Sequence, residues 1–181
     1  NKAATALHNV SFALERGEIL GVVGESGCGK TTLMLALLRL LPQAGKISGG
    51  QVLYEGKDIL QLDDKAMAEL RWDEISIVFQ GAMNALNPVR TIGDQISEAI
   101  RRHEKLSKEA TRKRVDELLE LVGIGRDRRD QYPHQYSGGM RQRAMIAMAL
   151  ACYPKIIIAD EPTTALDVMI QAQILELLAD L

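Results

Sequence analysis

Eight residues, Gly24-Glu25-Ser26-Gly27-Cys28-Gly29-Lys30-Thr31, sit between two apolar runs and leave the chain around them few conformations. The residues before them, 19–23 (ILGVV), are apolar and partly β-branched, which predicts a short buried strand. The residues after them run apolar to Leu41, which predicts a helix starting near Lys30. A strand, a glycine loop and a helix in that order, around the spacing G-x-x-x-x-G-K-[ST], are the parts of a phosphate-binding loop.

The spacing has a chemical reason. Glycines let backbone N–H groups converge on an anion without interference from Cβ atoms, and the helix start adds the positive end of its dipole. Lys30 can reach the β and γ phosphates as a mobile point charge, and the Thr31 hydroxyl can coordinate an accompanying magnesium ion. A plain glycine turn capping an ordinary helix would need none of the lysine, the threonine or the preceding strand. A nucleotide is therefore the expected ligand.

At 181 residues and 46% hydrophobic, the chain can bury a core and is most simply one domain. Its 22 basic and 24 acidic residues leave a net charge of −2, which gives no support to a nucleic-acid partner recognised through bulk electrostatics, and none is expected. Basic residues cluster at 101–105, 112–114 and 126–129, but acids interleave with most of them, the pattern of solvated helix faces. Cys28 and Cys152 have neither metal-ligand spacing nor the pattern of a secreted disulfide framework, so a reducing cytosol is expected. No signal-peptide pattern opens the sequence, and the longest apolar run, 144–153, falls short of the ~18 residues that suggest a membrane span.

Along the chain, residues 7–14 alternate loosely and end at Arg16-Gly17-Glu18, which predicts a strand and a turn. Pro42 and the glycines at 45–50 close the first helix, and residues 51–54 predict a strand before the turn Glu55-Gly56. Residues 63–72 read as helix, 75–79 as a buried strand, and 80–90 as a loop. Two helical stretches follow at 91–103 and 108–122; in the second, Val115, Leu118, Leu119 and Val122 share one face. After an exit loop at 123–130 comes Tyr136-Ser137-Gly138-Gly139-Met140 and a long apolar helix. Residues 156–159 predict a second buried strand, and Ile170, Ile174, Leu177 and Leu178 a core stripe on the last helix.

Two further places carry chemistry. Asp160 and Glu161 stand at the carboxyl end of the second apolar strand, the edge where open α/β sheets bind ligands. Acidic residues often end strands for no catalytic reason. Downstream of a phosphate loop, however, Asp160 can hold magnesium and Glu161 can polarise the attacking water. Ser137-Gly138-Gly139 places a hydroxyl, free N–H groups and a helix dipole at one point. It serves equally as an ordinary N-cap or as a second anion site for a nucleotide held by another subunit.

Together these residues carry a family resemblance. The chain resembles the ATP-binding subunit of an ABC transporter through GESGCGKTT, Gln80 after a strand, YSGGMRQR in place of the LSGGQ signature, IIIADE, and the TALD segment at 164–167. The stretches VFQGAMNALNP and YPHQYSGGMRQR are similar to those of dipeptide, oligopeptide and nickel importers. The resemblance implies a P-loop NTPase fold of the α/β class, with a mixed core β-sheet flanked by helices and an inserted helical subdomain. The core would occupy about 1–90 and 152–181, and the helical subdomain about 91–151, of a cassette cut at both ends. It implies that Gly24, Glu25, Ser26, Gly27, Cys28, Gly29, Lys30, Thr31 and Thr32 cradle ATP. Thr31, Gln80 and Asp160 would surround Mg2+, with Glu161 as catalytic base and Gln80 beside it. Ser137, Gly138 and Gly139 would close on the γ phosphate of a second ATP-binding subunit in a head-to-tail dimer, and Asp167 would link the two sites. Gln80 and the helical block would meet the membrane-spanning permease subunits, which places the protein at the cytoplasmic face of the membrane as a peripheral subunit.

Met140 stands where the signature usually has glutamine, and Tyr136 where it has leucine. No aromatic residue precedes Phe12 to stack on adenine, and His8, His103 and His134 do not occupy the place of the family's switch histidine. Weak Mg-ATP binding and slow turnover are expected of this stretch alone. Two other functions use the same motifs: a soluble ABC ATPase of the repair or translation type, and a nucleotide-dependent assembly module with little turnover. The apolar loop at 82–89 favours a membrane partner. Lys30→Ala should abolish tight Mg-ATP binding while leaving the fold intact, and ATP should then fail to raise the variant's melting temperature as it raises the parent's.

Overall fold

In the computed structural model, which describes residues 4–79, 86–163 and 168–179, the glycine octet leads directly into helix α1 (Lys30–Leu37). The apolar run predicts helix to Leu41, but α1 stops at Leu37. Arg39 takes a left-handed φ of 53°. Its N–H then donates to Ala36 O at 3.1 Å and that of Leu40 to Leu35 O at 2.8 Å, closing a Schellman turn. A non-glycine residue there costs roughly 1–2 kcal/mol. The Arg39 guanidinium offsets this by donating to Leu62 O at 2.5 Å and to Asp64 at 2.9 Å.

The chain divides into two compact units, Asn1–Met67 and Ala68–Leu181. In the first, the antiparallel hairpin β1 (Leu53–Tyr54) and β2 (Lys57–Asp58) turns at Glu55 and Gly56, both at positive φ, as a tight hairpin requires. Asp58 Oδ1 accepts from the N–H groups of Val52 and Leu60, and the Val52 bond is the main reason its carboxyl lies below the usual range. Helix α2 (Asp64–Asp73) begins in this unit, where Asp63 Oδ1 accepts from Ala66 N, and ends at a kink where Trp72 has φ 76°.

The strands predicted at 19–23 and 7–14 do not form. Ile19 is 79% and Val23 96% exposed, and among the described residues the paired ladders are β1–β2 and one in the second unit. β-branched composition gives only a preference; a strand exists when its N–H and C=O groups find a neighbour, and these segments lack one here. The turn at Arg16-Gly17 does form, with Gly17 at φ 76° and Glu18 N donating to Glu15 O at 3.1 Å.

The second unit is built on the parallel pair β3 (Ile75–Val78) and β4 (Ile156–Ala159), in register from Ile75↔Ile156 to Val78↔Ala159. Parallel strands need a long crossover. Helices α3 (Ile92–His103), α4 (Lys108–Leu121) and α5 (Gly138–Ala149) lie in it, and α6 (Val168–Ala179) follows β4. Thr91, Ser107 and Ser137 cap α3, α4 and α5 alike, each side-chain oxygen accepting an N–H three residues on. Helix α4 ends as the sequence predicts: Gly123 at φ 69° lets Ile124 N return to Leu119 O at 2.8 Å.

Ile92, Ile96 and Ile100 of α3 meet Val115, Leu118 and Leu119 of α4, Ala144 and Ile146 of α5, and Val78 of β3 in one buried cluster. Ile174 of α6 joins it; the side chains of Ile170 and Leu177 lie outside the described residues. Leu119 is fully enclosed between helices, so Leu119→Ala should lower unfolding free energy by about 2–5 kcal/mol in a denaturant titration. Cys152 is buried, its thiol donating to Ala99 O at 3.6 Å, and burial pushes its pKa up to about 11. Alkylation near neutral pH should therefore spare Cys152 and modify exposed Cys28, as mass spectrometry of peptides from native and denatured protein will show.

Candidate functional site

Two glycines of the octet hold left-handed backbone, Gly27 at φ 80° and Gly29 at φ 101°. A Cβ on Gly29 would also come within 3.0 Å of the Leu7 side chain and 3.3 Å of Ala6 O, and one on Gly24 within 2.5 Å of Cys28 Sγ. At Gly29 the left-handed φ itself strains any other residue, whereas at Gly24 the Cys28 side chain would have to move aside. Gly29 is the N-cap of α1 and offers no side chain, so the first helical amides have no side-chain cap, and the backbone ladder begins with Leu33 N to Gly29 O at 2.9 Å. Lys30 folds back over the loop: its Nζ donates to Gly24 O at 2.7 Å and Glu25 O at 2.9 Å and lies 3.9 Å from Cys28 Sγ. Glu25, Ser26, Gly27 and Thr31 are exposed around it, and Thr32 is half-buried. An open loop with uncapped amides and one ammonium fits a polyphosphate.

In the second unit, Asp160 extends the β3–β4 ladder, its N–H donating to Val78 O at 2.9 Å, and its side chain is buried, with the residue 3% exposed. Glu161 follows, exposed, at φ 46°. A left-handed glutamate costs of order 1–3 kcal/mol, a strain found most often where a side chain must be aimed for function. Within this unit the Asp160 carboxylate is a hard oxygen donor of the kind magnesium takes, and the Thr31 hydroxyl of the first unit is a donor of the same chemical class. Among the described residues no group of three or more His, Cys, Asp or Glu could cage a metal alone.

At the start of α5, Ser137 Oγ accepts from Met140 N at 3.2 Å, which leaves its own proton to donate. Ser137 and Gly138 are exposed and Gly139 is half-buried; a Cβ on Gly138 would meet nothing within 4 Å. Gln80 and Asp167 lie outside the described residues.

One residue that the sequence reading passed over is Gln95. It is buried, and its amide donates to the carbonyls of Asn87, Arg90 and Thr91 while its Oε1 accepts from Asn87 N at 2.8 Å. It thereby fixes the path into α3. Its signal was a polar residue set into the apolar stripe of Ile92, Ile96 and Ile100.

Comparison with known proteins agrees with this geometry. The family model described as ABC transporter matches residues 7–164. The oligopeptide transport ATP-binding protein OppD of Bacillus subtilis is 54% identical over 97% of this chain and 50% of its own length. The dipeptide transport ATP-binding protein DppD of Escherichia coli is 47% identical over 97% of this chain and 54% of its own. The chain thus spans about half the length of the curated relatives it matches. Among solved structures, the dimeric post-hydrolysis state of the ATP-binding cassette MJ0796 bound to ADP and Pi superposes with a TM-score of 0.86 at 34% identity, over 96% of this chain and 73% of that one. A match this long, carried by a phosphate loop, an acidic strand end and a serine-capped glycine helix in family order, means that the chain belongs to the ABC transporter family and has the P-loop NTPase fold of its ATP-binding cassettes.

Proposed function

We propose that this chain is the ATP-binding and ATP-hydrolysing part of a subunit that powers import of peptides, or of a related solute, through permease subunits. The observation that carries the reading is Lys30 lying across loop carbonyls at the uncapped start of α1. The names of the relatives support the solute class. No helix among the described residues is long and apolar enough to cross a membrane; the proposed place, a peripheral subunit on the cytoplasmic face, rests on the transport subunits it resembles. The helical subdomain is proposed at about residues 91–151, where α3, α4 and α5 pack on one another.

When bound, the magnesium ion neutralises charge on the β and γ phosphate oxygens. Lys30 exchanges the carbonyls of Gly24 and Glu25 for phosphate oxygens, and the amides at the start of α1 donate to the same group. Thr31, Gln80 and Asp160 are the residues that would hold the metal. Glu161 accepts a proton from the attacking water, and its exposed position leaves room for that water. Ser137, Gly138 and Gly139 donate to the γ phosphate of a nucleotide on a second subunit, with Asp167 bridging the two sites.

Glu161→Gln in the full-length protein should keep nucleotide binding and lose hydrolysis by about 10²–10⁴-fold, because the amide is nearly isosteric and takes no proton from water. ATP should then hold the variant as a dimer on sizing chromatography. A monomer with continued phosphate release would remove Glu161 from this role.

A further inference from the structure

We infer that Tyr136 is a positioning residue for Ser137, holding the start of α5 in register by tying it to the turn that also receives the start of α3. The inference rests on the proposed role of Ser137 toward a second subunit's nucleotide. Tyr136 is 3% exposed, and its hydroxyl donates to Arg128 O at 3.0 Å. Burial pushes the phenol up to about 12, so it stays a donor across the working pH range. Its own N–H donates to Pro133 O at 3.2 Å, so side chain and backbone are both fixed one residue before the cap of α5.

The turn that Tyr136 grips is itself held from other sides. Ile92 N donates to Gln131 O at 3.0 Å and Gly93 N to Arg129 O at 2.9 Å. Gly93 is pressed so close that a Cβ would lie 2.3 Å from the Arg129 side chain. Arg129 donates to Asp116 of α4 at 2.5 Å and to Asp130 at 3.1 Å. Arg128 O therefore belongs to a segment locked to α3 and α4, and the Tyr136 hydroxyl carries that fixity to Ser137. A leucine at this position, as in the usual signature, would fill the core without making the link.

The test compares Tyr136→Phe and Tyr136→Leu with the parent in the full-length protein. Both variants keep apolar bulk, and both remove the hydroxyl. In a Glu161→Gln background, the ATP-dependent dimer should weaken about threefold to tenfold by analytical ultracentrifugation, the range one neutral hydrogen bond supports, while nucleotide affinity of the monomer stays unchanged. With Glu161 intact, kcat should fall by a similar factor and KM should hold. If either variant lowers only the melting temperature and leaves dimer affinity and kcat at the parent's values, Tyr136 is core filling and the inference is wrong. If the Glu161→Gln parent itself forms no dimer with ATP, the role of Ser137 falls first, and this inference with it.

Discussion

The interaction on which the nucleotide-binding half of the molecule turns is an ammonium ion resting on backbone carbonyls. Lys30 Nζ lies 2.7 Å from Gly24 O and 2.9 Å from Glu25 O. Hydrogen bonds to a charged donor are roughly twice as strong as neutral ones, so this side chain braces a loop whose glycines would otherwise leave it loose. Arrival of an anion is then an exchange of partners for a cation already in place, and the loop has little entropy left to lose.

In the second unit, order around the signature comes from satisfied backbone. Residues 126–136 are mostly turn and 3-10 helix, yet their carbonyls receive the first amides of α3 and the Tyr136 hydroxyl, and Gln135 Oε1 accepts from Tyr132 N at 2.8 Å. The Arg129–Asp116 pair is mostly enclosed, with 11% and 25% of the side chains exposed, so salt screens it less than a surface pair. The Arg129 guanidinium also holds the Asp130 carboxyl below the ordinary range. A loop wired in this way behaves as part of the helical layer.

What could be read from the sequence was what is encoded locally. The Ser137 cap, the 3.6-residue stripe of α4 with Gly123 behind it, and the Glu55-Gly56 turn all depend on neighbours a few residues away, and all form as expected. Around the candidate site, the start of α1 at Lys30 and the end of β4 just before Asp160 were also legible from local pattern. The failures depend on distant partners. Residues 19–23 and 7–14 had the composition of strands but no ladder, and α1 ended early because Arg39 found Leu62 and Asp64 far along the chain. The left-handed φ of Glu161 left no trace in its residue type, since glutamate carries no preference for it.

Gly138 separates two demands that proteins usually meet with one residue. It stands at the first position of α5, at ordinary φ, with open space where a Cβ would go. Folding asks nothing of it. Alanine there would trim the freedom of the unfolded chain and gain part of the roughly 0.4–1 kcal/mol that such a change yields at a compatible site. A stability-guided redesign of this chain would therefore rewrite its signature early and register the change as an improvement. Screens for well-folded variants will pass over the loss of this open surface at the head of α5.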